Sequence, residues 1–214
     1  MKKLFNVMAV AIALGVVGHA TAASNVDLSV KGSITPSACM PVIGNGGVVE
    51  HGKISFQDLQ PNGETVLPSV IMPLTINCAA STLFAINSTD NRNGSSSEWT
   101  GGSSGFGLGF VNGDLKVGFY LLKMNNSKAD GVPQAVIESA DGKTWFDAQD
   151  DNQMWQPKWM RAFKDATAGA ISPMPVQVMT TDIVVSTTIT SKVQLPATQE
   201  IPIDGSATLD IVYL

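Results

Sequence analysis

The residues of this chain that could do chemistry are few and far apart. His51 stands between Glu50 and Gly52, and the only other histidine is His19 near the N-terminus. An imidazole acts as a general base only beside a reacting group. The run GGSSG at residues 101–105 has the G-x-S-x-G letters, but it lies in a Gly- and Ser-rich stretch and not at a strand-to-helix nucleophile elbow. A solitary histidine is more often structural or exposed. The sequence therefore predicts that the protein is not an enzyme and has no catalytic residues.

Acidic side chains gather at Asp147, Asp150 and Asp151, beside Asn152. A calcium loop needs a D-x-[DN]-x-[DN]-G spacing, which is absent here, so a solvated acidic loop is favoured over a calcium site. The run Ser-Ala-Asp-Gly-Lys-Thr-Trp at residues 139–145 is similar to the Asp-box turn of β-propeller sialidases, but it is one residue short and unrepeated. It predicts a hairpin turn. We expect no metal and no cofactor.

The first 23 residues predict a secretory signal peptide. Lys2 and Lys3 precede an apolar run over residues 4–17, and a small-residue cleavage site follows before Ala23 or Ser24. The run is short for the ~30 Å hydrocarbon core of a bilayer, which favours export over the alternative of an N-terminal membrane anchor. We expect the mature chain to reach the periplasm without membrane insertion.

Export decides how the two cysteines, Cys39 and Cys78, are interpreted. In an oxidising compartment two cysteines are more often paired than free, so we predict one disulfide. Catalytic or metal-ligating thiols are the alternative, but no C-x-x-C motif is present. In the chain-entropy model a bridge over this loop length stabilises the fold by roughly 4 kcal/mol.

Composition and charge exclude several protein classes. Without Lys2 and Lys3 the chain keeps 11 basic residues against 18 acidic ones, a net charge of −7 that repels nucleic acid. With 44% hydrophobic and 14% charged residues, the chain has the composition of a folded domain. Its 20 glycines and 11 prolines favour strands and turns over long helices. An all-β fold with one core is expected.

Alternation of apolar and polar residues predicts strands along most of the mature chain. The predicted strands are residues 26–34, 48–55, 66–76, 82–86, 116–124, 134–138, 175–195 and 207–214. Gly- and Ser-rich residues 91–105 predict a surface loop, and the Trp-rich insert at residues 145–163 predicts a helical turn in its C-terminal half. Short strands without long helices, together with one disulfide, predict an immunoglobulin-like β-sandwich.

Several features together resemble the subunits of chaperone-usher pili. The mature N-terminus alternates apolar and polar residues, and Cys39 follows it in the context GSITPSAC. Cys78 closes the run PLTINC, and the chain ends in the alternating strand ATLDIVYL, whose penultimate residue is Tyr213. Within that group the chain looks most like the fimbrial-like proteins that bacteria export to the periplasm and that carry a domain of unknown function.

The resemblance implies a pilin-type sandwich, residues 36–214, that lacks its last strand and leaves an apolar groove. A periplasmic chaperone would first fill the groove, and at the outer-membrane usher the N-terminal segment of a neighbouring pilin subunit would replace it. The chain would then be a structural subunit of a cell-surface fimbrium. Residues 24–35 form the donor-strand candidate, with groove-facing positions Val26, Leu28, Val30, Gly32 and Ile34. The alternative is that residues 26–34 are the first strand of the chain's own sandwich.

The resemblance also assigns a role to the last strand, which in that family borders the groove and pairs with the chaperone. It implies an edge formed by Leu209, Ile211 and Tyr213. An ordinary edge strand whose aromatic residue fills the core is the alternative.

A second hypothesis is a carbohydrate-binding module, monomeric in the periplasm or placed at a pilus tip. Trp145, Trp155 and Trp159, with the acids and amides beside them, are the candidate aromatic platform for a glycan. Aromatic side chains also bury large areas, so packing of a short annex beneath the sandwich is the alternative.

Overall fold

A computed structural model gives the structure of the protein and describes residues 28–31, 38–98, 103–148, 154–196 and 198–214. The chain divides into two units, Met1–Ile34 and Thr35–Leu214, and only residues 28–31 of the first are described. The predicted signal peptide and three of the donor positions, Val26, Gly32 and Ile34, lie outside the described residues. Among the described residues no helix has the length and apolar character needed to cross a bilayer.

The described part of the second unit is built almost entirely of strands. They are β1 (Cys39–Ile43), β2 (Thr65–Val66), β3 (Val70–Thr82), β4 (Phe84–Asp90), β5 (Phe106–Gly107), β6 (Phe110–Val111), β7 (Leu115–Lys116), β8 (Gly118–Ala129), β9 (Val132–Pro133), β10 (Val136–Ser139), β11 (Phe146–Asp147), β12 (Met160–Phe163), β13 (Val176–Ile189) and β14 (Ala207–Tyr213). Three short 3-10 helices, Gly44–Gly47, Phe56–Asp58 and Lys192–Gln194, interrupt the connections.

The long strands form two sheets that enclose one main core. The first sheet has the order β1-β3-β13-β8-β5, with β2 pairing β13 and β9 pairing β8. The second sheet has the order β11-β10-β12-β4-β14, and β6 and β7 form a separate hairpin. Every strand pair is antiparallel. The prediction of an all-β sandwich is confirmed.

Alternation decides which side chains reach the core. In β3, Met72, Leu74 and Ile76 are buried, whereas the intervening Ile71 and Pro73 face outward and are exposed. Phe84 and Ile86 of β4 in the second sheet belong to the same main cluster. Because side chains on a strand alternate between its two faces, this pattern fixes the register of β3 against both neighbours.

Cys39 and Cys78 form the predicted disulfide. They are direct register partners at the start of β1 and near the end of β3, so the bridge joins two neighbouring strands of the first sheet. The same pairing aligns Ile43 with Leu74. The bridge thus fastens the edge strand β1 to a strand in the interior of its sheet.

Two local predictions are wrong. Residues 48–55 contain no strand, and positive φ angles at Gly47 and Gly52 (78° and 65°) interrupt extended pairing there. The described end of the Trp-rich insert is a turn followed by β12, not a helical turn, because Pro157 and Lys158, whose φ is 70°, do not support one. The predicted loop at residues 91–105 contains no named strand or helix among its described residues, although Ser95 is buried and accepts a hydrogen bond from the Gly109 N–H.

Candidate strand-binding groove

A long groove opens along the side of the sandwich in the unit Thr35–Leu214, with a volume of about 1030 Å³. Its floor consists of inward-facing residues of the first sheet. Buried apolar side chains that line it include Met72, Leu74, Leu122, Ile183 and Val185. These five side chains keep only 1–6% of their area exposed, so the floor is apolar and already largely removed from solvent.

Two chain segments border this floor. The first rim is residues 47–54, which follow β1 and its 3-10 turn, and the second rim is residues 199–209, which lead into β14. Among the described residues, no backbone group of residues 49–54 forms a hydrogen bond with another backbone group. Of the described strands, only β4 pairs with β14. Both rims therefore carry backbone donors and acceptors that are free to pair with an added strand.

One end of the groove is tied by the penultimate residue. The Cys39 N–H donates a hydrogen bond to the Tyr213 hydroxyl oxygen, 3.0 Å away, and so links the end of β14 to the start of β1. Of the three edge residues predicted on β14, Leu209 lines the groove, Ile211 packs partly against the main core, and Tyr213 makes this link. The last strand thus spans between the two sheets.

The second rim is held in place by contacts that the sequence analysis did not identify. Arg92 forms a two-pronged ion pair with Asp204, at 2.8 and 3.0 Å, and also donates to the Asp204 carbonyl oxygen. Gly205 lies so close to Tyr120 that a Cβ there would be 2.8 Å from the ring. Neither contact has a local sequence signal, because the partners are far apart in the chain.

His51 is the histidine on the first rim and it is half-buried. Its Nε2 lies 2.9 Å from the Thr187 hydroxyl oxygen on the floor strand β13, a hydrogen bond whose donor depends on the tautomer. Burial lowers the pKa of His51 below its ordinary value. Among the described residues its hydrogen-bond partner is this hydroxyl, and no carboxylate of the kind that orients a catalytic histidine is bonded to the ring.

Of the five groove-facing positions predicted in the donor segment, the structure describes two, Leu28 and Val30. Leu28 and Val30 are both 89% exposed. Ser29 and Lys31 between and after them are also exposed. Large aliphatic side chains at this exposure contribute nothing to the fold of their own unit and are available for burial elsewhere.

The three tryptophans do not share an exposed surface. Trp155 is 0% exposed in the main core, and its indole N–H donates to the Trp159 carbonyl oxygen at 2.8 Å. Trp159 is partly buried against the same core, whereas Trp145 belongs to a separate buried cluster with Ile137 and Ala162. In the structure the three side chains pack against buried clusters. Packing of this kind was the alternative to a glycan platform.

The run at residues 139–145 forms the predicted hairpin turn between β10 and β11. The Asp141 carboxylate accepts hydrogen bonds from the Lys143 and Thr144 N–H groups and from the Ser139 hydroxyl. These bonds favour the ionised form and lower the pKa of Asp141. No described residues form a group of three or more potential metal ligands, and Asp150, Asp151 and Asn152 lie outside the described residues.

Comparison with known proteins gives three similarities. Residues 28–107 match the family described as "Protein of unknown function (DUF1120)", a range that begins at the exposed Leu28 and ends with β5. The chain is 25% identical to Protein GltF of Escherichia coli strain K12, with 100% of this chain and 99% of that protein covered. It is 28% identical to the uncharacterized protein YhcF of the same strain, covering 91% and 93% of the two chains.

Proposed function

We propose that the protein is a structural subunit of a chaperone-usher fimbria and that it polymerises by donating its N-terminal segment to the groove of a neighbouring copy. In this role the chain is exported to the periplasm, received by a pilus chaperone, and passed through an outer-membrane usher to the cell surface. The role needs complementary surfaces and no catalytic group.

The observation that carries the proposal is the groove, which is bordered on one side by residues 49–54, without backbone–backbone hydrogen bonds among the described residues, and on the other by the outer edge of β14. An added strand lying between residues 49–54 and β14 has hydrogen-bonding partners available on both sides, which is strand addition to a sheet edge. It would also cover the apolar floor around Leu74, Leu122 and Ile183. A single occupant would therefore pair open backbone groups while lying on an apolar floor that is already nearly buried.

Residues 24–35 have the pattern that such an occupant needs. Val26, Leu28, Val30 and Ile34 alternate with polar residues, so one face of an extended segment is apolar. Fully burying each aliphatic side chain contributes about 1.5–3 kcal/mol before the ordering cost is subtracted. The 89% exposure of Leu28 and Val30 leaves nearly all of that area available for a partner.

A chaperone follows from the same geometry. A newly exported chain with an open apolar groove and a free seven-residue edge strand, β14, is prone to edge-to-edge aggregation. A periplasmic protein that lends a strand to the groove would protect it until a second copy arrives. Residues Leu209, Ile211 and Tyr213 of β14 are then the edge at which the chaperone strand pairs.

The test uses the full exported chain and a synthetic peptide of residues 24–35. Peptide in large excess should raise the melting temperature, because a ligand at 100 times its Kd stabilises the native state by about 2.7 kcal/mol. A peptide with Leu28→Asp should not, since it would place a carboxylate against the apolar floor. A peptide with Ser29→Asp is the matched control, because position 29 lies on the opposite, polar face.

The full chain gives a second readout. Wild-type protein at high concentration should form ladders of oligomers in size-exclusion chromatography, and Leu28→Asp protein should remain monomeric with an unchanged circular dichroism spectrum. If the Leu28→Asp and Ser29→Asp peptides raise the melting temperature equally, or if neither the peptide nor a second copy binds, the groove is not a donor-strand site.

A further inference from the structure

The groove floor has a polar position at Thr187. On the groove-facing side of β13, Thr187 lies between Val185 and Ile189, which are both buried and apolar. The strand is fixed there on both sides, because Thr187 pairs with Tyr120 of β8 and its carbonyl oxygen accepts a 2.9 Å hydrogen bond from the Leu67 N–H. Thr187 is therefore a rigid polar group on an apolar surface.

His51 covers this position from the first rim. Its imidazole Nε2 is 2.9 Å from the Thr187 hydroxyl oxygen, and its neighbours Val49 and Ile54 pack against the main core. The ring is half-buried while the groove is open on its other side. A strand inserted between the rims would remove more water from the imidazole, since both His51 and the floor beneath it line the groove.

The charged groups near this position offer a protonated imidazole little compensation. On its own rim Glu50 and Lys53 have exposed side chains of opposite charge, and on the second rim Glu200 is also exposed. β13 contributes the neutral Thr187, and β8 contributes Tyr120, whose pKa is raised by burial and which is neutral at ordinary pH. The groups that β13 and β8 place beneath His51 are therefore neutral, and the charged side chains lie on the rims, where they are exposed to solvent.

We propose that His51 is the specificity-determining residue of the groove and makes strand insertion depend on pH: the groove accepts an apolar strand when the imidazole is neutral and rejects it when the imidazole is charged. This inference rests on the proposed function, because it requires a strand to enter the groove. Under this proposal, His51 is the rim residue whose protonation changes when a strand fills the groove. Subunits would then exchange strands only at neutral pH.

The direction follows from proton linkage. Filling the groove buries His51 further, so its pKa is lower in the filled groove than in the empty one. The empty groove then binds protons more readily, and acid favours the empty state. Affinity for the strand is complete above the pKa of the empty-groove imidazole. It falls as the pH drops below that pKa, by at most tenfold per pH unit.

The experiment measures the Kd of the residue 24–35 peptide for the full exported chain between pH 5 and pH 7.5. We expect binding at pH 5 to be about tenfold weaker than at pH 7.5 in the wild type. In His51→Gln, which keeps a hydrogen-bonding side chain beside Thr187 but does not titrate, the ratio of the two Kd values should be close to one. Lys53→Gln, on the same rim, should retain the wild-type ratio.

A spectroscopic readout separates this role from a structural one. Histidine-labelled protein followed by NMR should show the His51 imidazole titrating at lower pH with bound peptide than without it. Peptide that binds with the same pH dependence in wild type and His51→Gln, or an imidazole pKa that does not fall on binding, would overturn the inference while the proposed function stands. Peptide that binds at no pH overturns both.

Discussion

The second sheet has two edges, and they are built in opposite ways. At one end β11 is only two residues long, and its Asp147 forms a 2.7 Å ion pair with Lys164. At the other end β14 runs for seven residues with the aliphatic Leu209, Ile211 and Val212. Short, charged edge strands resist further pairing, whereas long apolar ones invite it. The protein protects one edge and leaves the other available.

The residues packed next to β11 and those next to β14 show the same contrast between a closed flank and an open one. Next to β11, Glu138 of β10 and Arg161 of β12 form a buried ion pair at 3.1 Å, and Arg161 lies 5.4 Å above the Trp155 ring. Next to β14 lies the groove, whose first rim, residues 49–54, forms no backbone–backbone hydrogen bonds among the described residues. One flank is therefore closed by a buried ion pair, whereas the other borders a cavity. Under the proposed function, stability and assembly depend on different sides of one sandwich.

The largest effect is expected on the protected flank. Trp155→Ala removes a side chain with no solvent exposure, so we expect the free energy of unfolding to fall by about 3–5 kcal/mol. Urea denaturation of the exported protein measures it. Phe146→Ala on the edge strand β11 is the control, since Phe146 is 52% exposed and its replacement should cost less than about 1 kcal/mol. If the two variants lost the same free energy of unfolding, the conclusion that Trp155 is a core residue would be contradicted.

The next largest effect is expected at the disulfide in the first sheet. Replacing Cys39 and Cys78 by serine removes the bridge between β1 and β3 and should cost about 2–5 kcal/mol. Denaturation with and without reductant measures it, and reductant should have no further effect on the double variant. Two alkylated thiols in unreduced, denatured wild-type protein would contradict the bridge.

A smaller effect on stability is expected at the open edge. Leu209→Ala on β14 should lower the free energy of unfolding by only about 1–2 kcal/mol, because the side chain is half-buried, yet it should clearly weaken peptide binding. Asp210→Ala, on the exposed face of the same strand, is the matched control. If Leu209→Ala affected stability and left binding intact, the contrast between the two flanks would be lost.

The smallest effect concerns the turn that ends the protected flank. Hydrogen bonds lower the pKa of Asp141 in the folded protein, so its carboxylate stabilises the fold above its ordinary pKa of 3.8 and this contribution is lost as the pH falls. Asp141→Asn should therefore melt slightly below wild type at pH 7, with the difference closing in acid. Melting curves from pH 2 to pH 7 measure it, and a difference independent of pH would rule out the carboxylate as its source.

Sequence alone locates the long strands from their apolar residues and turn signals, but not all of their ends. β13 and β14 lie within the predicted strands 175–195 and 207–214, whereas β3 and β8 continue beyond the predicted ends at residues 76 and 124, to Thr82 and Ala129. The disulfide was predictable for a different reason, since a signal peptide sets the redox compartment and only two cysteines are available. In both cases the signal is local or depends on a simple count.

The groove is harder to predict, because its rims are segments whose backbone groups are left without a neighbouring strand, and no residue pattern marks such a segment. Residues 48–55 have the alternation of a strand, but backbone turns at Gly47 and Gly52 keep them out of the sheets and make them a groove wall. The contact of His51 with Thr187 joins residues 136 positions apart, and no spacing rule relates them. The tryptophans illustrate the same limit, since their size predicts a large contact area but not whether that area faces the core or a ligand.

The disulfide at the start of β1 also determines how the proposed fibre would carry tension. The donor-strand candidate continues directly into Cys39, so a pull on residues 24–35 reaches the folded body at the bridge. The bridge passes the load covalently to β3, which is held along nearly its whole length by β1 and β13. Force is then shared as shear across many ladder hydrogen bonds instead of peeling an edge strand away one bond at a time. A shaft made of such subunits would stretch at its exchanged strands before any subunit unravels.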